Sequence, residues 1–485
     1  MITDQTVNAN PCRTLVTWKS IKWKQVEETV RKLQARIVKA QKNKAFRQVK
    51  NLRRLLTRSL SARLLAVKRV STNKGCKTPG VDGDIWTTPD QKTQAVHDLK
   101  KRIKNLPLRR IYIPKKNGRK RPISIPTMLD RAQQACHLLA LDPIAETLAD
   151  QHSYGFRTKR RAHDAIGYIY NILRRKGSPQ WILEADIRSC FDGIDHQWLK
   201  ENIPMDKSTL HKWLKSGFIE KRRLFPSRKG APQGGVASPT LANMTLDGLE
   251  KMLFEKFGDK PGQKHRKMVH LCRYADDFIV TGNSKGLLQD LVLPAIRQFL
   301  TIRGLQIAEE KTRITHVNEG FDFLGQNTRK YKGKLLTIPS KKSITNLRKK
   351  LRQTTKKKKN GAVHLIQTMN PIVRGWCNYH QCVVSRKVFE KIDHYVFTLL
   401  WNWARKQHPN KSRRWIKKKY FLKSNGRQWV FTTRTKQGKV ERQFLATSTQ
   451  IRRHILIRGI ANPYDEEWKS YFEKRAQQWS VPCAV

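Results

Sequence analysis

Apolar residues recur every three or four positions near the start of the chain, the period of an amphipathic helix. Val26, Val30, Leu33, Ile37 and Ala40 mark a first helix within residues 12–70. Leu52, Leu55, Leu56, Leu60 and Leu64 mark a second, basic helix from about Lys44 to Val70. The turn-rich run Thr78–Gly83 interrupts this pattern. From Arg109 to Pro126 the period drops to two: Ile111 and Ile113 alternate around Tyr112, Lys115–Lys120 reads as a hairpin turn, and Arg121–Pro126 returns. Helical text follows over Leu129–Leu148, then a long mixed region from about 150 to 330. Residues 341–360 carry ten Lys or Arg and no acid, which fits a solvated helix face and direct RNA contact equally well. Helical periods resume at Val363–Ile372 and Val388–Trp403, and the tail from about 412 mixes basic residues with aromatics. The chain has no internal repeats.

Charge changes this picture most. Among 485 residues, 100 are Lys or Arg and 37 are Asp or Glu, a formal net charge of +63. Solubility needs far less, so the excess points to nucleic acid, bound through counterion release. Hydrophobic residues make up 38% of the chain, enough for packed cores and too many for a disordered basic tail. No apolar run approaches the roughly 18 residues of a membrane span. Met1–Asn10 shows no charged-then-apolar leader pattern, so the expected location is the bacterial cytoplasm, with attachment to nucleoid DNA. The eight cysteines are scattered and read as reduced thiols. Cys377, His380 and Cys382 are close in sequence, but without a fourth ligand at metal spacing they read as structural.

The candidate chemistry is carboxylate chemistry. Tyr274-Ala275-Asp276-Asp277 lies between two strand-like runs, Met268–Arg273 and Phe278–Thr281. Adjacent carboxylates at a hairpin tip suit a hard divalent cation such as magnesium, commonly shared with nucleotide phosphates. Solvated turns also favour Asp, so the pair alone does not decide. Asp186 ends the apolar run Trp181–Ala185, where a carboxylate is costly unless paired or bound to metal. Taken alone, Asp186 reads better as a helix N-cap, and a cap is also the preferred reading for Asp192 and Asp195. In Ala231-Pro232-Gln233-Gly234-Gly235-Val236-Ala237-Ser238-Pro239, the glycines admit close approach of a ligand to the backbone. Ser238 and Pro239 suit N-cap and N1 of a helix to about Leu253. That loop could cradle a nucleotide or form an ordinary turn.

In order, the chain has a basic hairpin, a strand-end Asp, a Gly-rich loop with its helix, a hairpin Asp-Asp, Lys311 and then Phe321–Gly325. This order resembles the fingers and palm of reverse transcriptases. Thr78–Gly83, Arg121–Thr127, His152–Arg157 and Arg273–Phe278 are similar to the group II intron-encoded subfamily, and Asn370–Tyr379 resembles its maturase motif. The resemblance runs from about residue 15 to the end. It implies an α+β right-hand polymerase with an antiparallel sheet, a helical thumb and a small basic C-terminal domain. The expected division is a helical extension (1–75), fingers and palm (76–340), thumb or maturase domain (341–411) and a DNA-binding region (412–485).

The implied function is RNA-directed DNA polymerase and maturase of a mobile group II intron, which helps intron RNA to splice and copies it into DNA during retrohoming. A non-catalytic RNA-binding maturase is the alternative, and the intact carboxylates argue against it. The implied partners are intron RNA, an RNA template with DNA primer, target DNA and deoxynucleoside triphosphates. Asp186, Asp276 and Asp277, with the Ile187 carbonyl, would bind two magnesium ions. Phe191 would exclude a ribose 2′-hydroxyl and Gln233 would pack near the nucleotide. Lys115 and Arg121 would contact its phosphates, and Lys311 would neutralise or protonate the leaving group. Lys356, Lys357, Lys358, Lys359 and Arg374 would contact RNA. The cysteine pairs and His cluster of an endonuclease domain do not follow Asn462–Asp465, so priming from nicks or replication forks is expected rather than bottom-strand cleavage.

Overall fold

Three helices, α1 (Trp23–Lys42), α2 (Phe46–Arg58) and α3 (Leu60–Thr72), bury most of the apolar stripe seen in the sequence, with Val30, Ile37, Leu52, Leu56 and Val67 inside, but Leu55 and Leu60, expected on that side, are exposed. The computed structural model describes residues 17–101, 105–114, 118, 120–259, 266–356, 361–424, 427–435 and 437–480. The helix expected to run unbroken from Lys44 to Val70 is two helices. Ser59 takes an extended backbone, its hydroxyl donates to the Leu56 carbonyl at 2.8 Å, and it accepts the Ala62 amide at 3.1 Å. One serine thus closes α2 and caps α3. After α4 (Pro89–Asp98), β1 (Leu108–Pro114) and β2 (Lys120–Ile125) form the expected antiparallel hairpin, in register from Arg109 opposite Ile125 to Pro114 opposite Lys120.

Thr127 caps α5 (Met128–Leu148), which packs against α1 and α3. Next come α6 (Ala162–Leu173), β3 (Trp181–Asp186), α7 (Cys190–Gly193), α8 (His196–Asn202), α9 (Lys207–Lys215), β4 (Phe218–Glu220) and β5 (Arg223–Phe225). Strand β4 pairs parallel with β1, giving a sheet of order β2-β1-β4-β5. The helix expected from Ser238 to about Leu253 is interrupted. It ends as α10 (Ser238–Leu246), and α11 (Leu249–Phe257) starts after an extended Asp247 and Gly248 at φ +91°. Asp150 accepts the Gly248 and Glu250 amides at 3.0 and 3.2 Å, which holds the break. Ser238 is not the N-cap, a position filled by Ala237; its hydroxyl instead donates to the Pro232 carbonyl at 2.7 Å.

A second sheet has the order β6-β7-β3-β8, with β6 (Leu271–Tyr274), β7 (Asp277–Gly282) and β8 (Arg313–His316). All its neighbours are antiparallel. The strand expected from Met268 begins only at Leu271, because Met268 adopts a left-handed backbone at φ +54°. Helix α12 (Leu293–Thr301) joins α10 and α11 on one face of this sheet, around Leu183, Ala185, Phe278 and Val280. Helix α6 covers the other face, around Ile182, Cys272 and Ile279. Burial on both faces explains why β3 reads as an almost continuous apolar run. Asp186 stands where that burial ends.

Strands β9 (Phe321–Phe323), β10 (Gln326–Tyr331) and β11 (Lys334–Pro339) lead into α13 (Lys341–Lys356), α14 (Ala362–His380) and α15 (Arg386–Gln407). These helices share a core of Leu347, Leu351, Met369, Val373, Phe389 and Val396. Helix α16 (Arg413–Tyr420) and the antiparallel strands β12 (Phe421–Ser424), β13 (Arg427–Arg434) and β14 (Val440–Arg442) extend this core with Phe421 and Phe431.

From about residue 450 the chain runs back to the β6-β7-β3-β8 sheet, so the described part of the stretch 412–480 occupies two places. Asp164 on α6, fully buried, receives the Ile457 amide at 2.9 Å and the Arg475 guanidinium at 2.6 Å, with His454 Nε2 at 2.8 Å. Arg475 belongs to the last helix, α17 (Lys469–Ser480). The chain is therefore α+β, with antiparallel pairing dominant, as expected. No helix among the described residues is long and apolar enough to cross a membrane.

Candidate active site

The Asp-Asp pair sits at the tight turn joining β6 to β7, where Tyr274 opposite Asp277 is the last paired position. Ala275 in that turn is left-handed at φ +59°, a conformation costing about 1–2 kcal/mol for an L residue. Its surroundings hold it there. Tyr154 donates its amide to the Arg273 carbonyl at 2.9 Å, and Arg273 donates to the His152 carbonyl at 3.0 Å. Gly155 lies so close that a Cβ there would come within 2.3 Å of the Ala275 nitrogen. The Arg273 side chain is wholly buried. It bonds to Asp247, to Asn243 Oδ1 at 3.2 Å and to the Ala275 carbonyl at 3.5 Å. Asn243 also donates to the Gly155 carbonyl at 2.8 Å.

Asp277 lies directly opposite Asp186 across the β3–β7 ladder, with Asp276 beside it in the turn. Like charges placed opposite each other in a sheet repel. Asp277 opens onto solvent but is crowded by protein. Burial first, then the Asp186 and Asp276 charges, push its carboxyl up to about 6, against Lys311 and Lys342. Asp276 is also raised, chiefly by burial and then by Asp186, with Arg121 and Lys311 opposing. The Lys311 ammonium is bonded directly to Asp186, and that bond raises the lysine's own pKa. Asp186, Asp277, Lys311 and Lys342 line an open cleft of about 540 Å³ that also includes Asp322, Ser343 and Asn346.

Among the described residues, no group of three or more His, Cys, Asp or Glu side chains is placed to hold a metal ion. Magnesium does not require one, since it commonly takes one or two carboxylates and completes its shell with substrate phosphates and water. Crowded carboxylates held above their ordinary pKa, with oxygen as the donor, fit a hard divalent cation. Asp186, Asp276 and Asp277 are the residues that could hold it. The isolated bridge between Ile187 and Ile307 uses the Asp186 carbonyl and the Arg188 amide, so it leaves the Ile187 carbonyl outside its two hydrogen bonds.

Among the described residues, none of the remaining expected ones lines this cleft. Arg121 on β2 lies within electrostatic reach of Asp276. Gln233 accepts the Ser124 amide at 2.7 Å through its carbonyl, which ties the Gly-rich loop to β2. Phe191 is half-buried in α7, stands edge-on to Phe156 at 6.3 Å, and accepts the Ala231 amide at 2.7 Å. Asp186 is not a helix cap. Asp195 is one, accepting the Trp198 amide at 2.7 Å, whereas Asp192 lies inside the first turn of α7 rather than at its cap. Lys115 and Lys357–Lys359 lie outside the described residues, as does the side chain of Lys356. Asn243, Arg273, Lys342 and Gln134, whose Oε1 accepts the Val236 amide at 2.7 Å, were not anticipated.

Comparison with known proteins gives three family matches in chain order. They are the N-terminal domain of reverse transcriptase over residues 18–99, the reverse transcriptase (RNA-dependent DNA polymerase) over 113–328, and the group II intron maturase-specific domain over 344–421. Protein YkfC of Escherichia coli (strain K12) is 33% identical over 297 residues, covering 54% of this chain and 78% of that protein. Group II intron-encoded protein LtrA of Lactococcus lactis subsp. cremoris is 27% identical over 481 residues, covering 78% of each. The chain belongs to the group II intron-encoded reverse transcriptases. It is an RNA-directed DNA polymerase and intron maturase of the right-hand polymerase fold. Its family depends on divalent metal and acts on nucleic acid.

The maturase motif of this reverse transcriptase is mostly occupied with structure. Asn370 donates to the Arg442 carbonyl at 2.8 Å and accepts the Phe444 amide at 2.7 Å. The Trp376 indole donates to Ser343 Oγ at 3.1 Å, and the Tyr379 hydroxyl to the Leu324 carbonyl at 2.7 Å. Cys377 and His380 are buried, and His380 Nδ1 is 3.1 Å from Gln326 Oε1, a packing role rather than zinc ligation. Arg374 is exposed and lies 4.9 Å over the Phe444 ring. The motif thus joins α14 to the β9–β10 hairpin on one side and to the C-terminal sheet on the other.

Proposed function

We propose that Asp186, Asp276 and Asp277, with the Ile187 carbonyl, hold two magnesium ions and that this centre copies intron RNA into DNA during retrohoming. The observation that carries the reading is the opposition of Asp186 and Asp277 across adjacent strands, with Asp276 in the turn and Lys311 facing them. When bound, the two ions activate the primer 3′-hydroxyl and stabilise the leaving pyrophosphate. The rigid turn fixes where the carboxylates point. Lys311, its proton held by Asp186, is placed to supply charge or a proton to the leaving group. Arg121, with Lys115, would bind the nucleotide phosphates, and Gln233 would lie against the nucleotide. We read the chain as an extension, fingers and palm, and thumb, with the C-terminal region shared between the thumb core and the palm. We assign Lys356–Lys359 to intron RNA on charge, Arg374 to intron RNA on charge and exposure, and the 412–485 region to target DNA on charge. Structured RNA is read largely by shape and backbone, so the splicing chemistry stays with the RNA. The two bacterial relatives support a place in the bacterial cytoplasm, near nucleoid DNA.

The deciding test is extension of a DNA primer on an RNA template with deoxynucleotides. Extension is expected with magnesium, to be lost in EDTA and to return when magnesium is added in excess. No extension by a folded, RNA-binding protein would leave a maturase acting by binding alone. The gate is tested separately. Phe191→Ala should narrow the preference for deoxynucleotides over ribonucleotides by roughly 10- to 200-fold, the range expected for a purely steric contact. Unchanged discrimination, measured as the ratio of kcat/KM for the two nucleotides, would remove Phe191 from that role.

A further inference from the structure

A second and larger cleft, about 780 Å³, shares no lining residue with the catalytic one. One wall is α6 and the other is the returning C-terminal segment, with β11 and the α14–α15 connection between them. The walls are fixed relative to each other. Asp164 anchors the C-terminal segment to α6, and Leu456 packs so closely on Gly167 that a Cβ there would come within 2.4 Å of it.

The lining combines two kinds of surface. Tyr170, Val384 and Ile451 are exposed, at 37%, 59% and 46%, an apolar and aromatic face left open to water. Arg174, at the end of α6, and Arg453, on the C-terminal segment, are exposed on opposite walls. Neither guanidinium makes an ion pair or side-chain hydrogen bond among the described residues. An aromatic ring and apolar side chains between two unpaired guanidiniums match an unstacked nucleotide, which presents a flat base between anionic phosphates. The volume lies in the range of about 300–1,000 Å³ typical of pockets that hold a small organic ligand.

We propose that this cleft is a second nucleic-acid site, which takes an unstacked nucleotide of single-stranded RNA, its base against Tyr170 and its flanking phosphates on Arg174 and Arg453. The proposal rests on the reading of the chain as an intron-RNA-binding polymerase and adds a place on it where a looped-out nucleotide docks. A segment bound here would span the palm and the C-terminal return at once.

The test is fluorescence anisotropy of a short fluorescein-labelled oligouridylate added to the full chain, with the catalytic cleft saturated by an RNA–DNA template–primer duplex. Wild type should still bind the probe. Tyr170→Ala should weaken binding by roughly tenfold with little change in salt dependence, and Tyr170→Phe should restore it. Arg174→Gln/Arg453→Gln should weaken binding and reduce the slope of log K against log salt by about 1.4, since each phosphate contact on a single strand contributes about 0.7. Primer extension on a short template–primer should stay at the wild-type rate in all three variants, which also shows that they are folded. Oligodeoxythymidylate and a blunt RNA duplex serve as parallel probes. Equal binding of the deoxy probe would make the site one for single strands of either sugar, and preferred binding of the duplex would overturn the proposal. So would variants that bind as wild type, or a wild type that ignores the probe while extending primers normally. If wild type neither extends primers nor binds any RNA, it is the underlying polymerase reading that fails.

Discussion

Primer extension by Asp277→Asn is expected to fall by about a thousandfold or more, while RNA binding and folding are kept. Asn is nearly the same size as Asp, so β7 keeps its register and the turn keeps its backbone. What disappears is one negative charge from a cluster whose proposed task is to hold divalent cations against the reacting phosphates. Charge stabilisation of that kind supplies several kcal/mol, and each 1.36 kcal/mol is a factor of ten in rate. Stability should move the other way. Asp277 is held above its ordinary pKa by burial and then by Asp186 and Asp276. Such a group loses stability for the fold as pH rises from the unfolded value towards the folded one, because the unfolded chain gives up its proton first. Above that window, in EDTA, the wild type carries this repulsion in full and the Asn variant does not. Its melting temperature should therefore be no lower than that of wild type. Single-turnover extension, filter binding to RNA and a thermal melt check the three parts. A variant that extends primers at even a tenth of the wild-type rate would place the catalytic charge elsewhere.

The carboxylates were legible because their signals are local: an apolar run that ends in Asp186, and two Asp residues between short strands. Strong periods gave the helices and the β1–β2 hairpin for the same reason. What was missed depends on partners far away in the chain. Ser59 reads as one more small residue in a helical run until its hydroxyl is seen to serve both helices. The break at Asp247–Gly248 interrupts an otherwise helical stretch, and its cause lies in Asp150 and Arg273. Asp164 looks like a surface helix residue, and yet it anchors a segment some three hundred positions later. The parallel pairing of β1 with β4 and the return of the C-terminal segment to the palm leave no periodic trace at all. In the maturase motif, the sequence shows a recognisable pattern but not that Asn370, Trp376 and Tyr379 are spent on joining α14 to its neighbours.

Arg273 is where missed packing and anticipated chemistry meet, and Arg273→Leu is expected to cost about 3–5 kcal/mol of stability and to abolish extension. The guanidinium is fully buried, and its loss strands Asp247 as a buried carboxylate without its cation, the costly way to break a buried pair. Burial already holds Asp247 at about 6 with Arg273 pulling it down. Without that pull the carboxyl rises further and takes up a proton more readily, so the defect should shrink as pH is lowered from neutral. Two effects can then be separated. In Arg273→Leu/Asp247→Leu no buried charge is left, and apolar replacement of a whole pair is often close to neutral, so much of the stability should return. Extension should not return, because the double variant keeps the backbone bonds around the turn but loses the guanidinium's bonds to the Ala275 carbonyl and Asn243 Oδ1, which help to hold the left-handed turn that aims Asp276 and Asp277. Chemical denaturation and primer extension on both variants measure the two terms. Recovery of both together would mean that Arg273 serves only the fold. Recovery of stability alone makes it a positioning residue for the carboxylates, acting through the backbone of the turn.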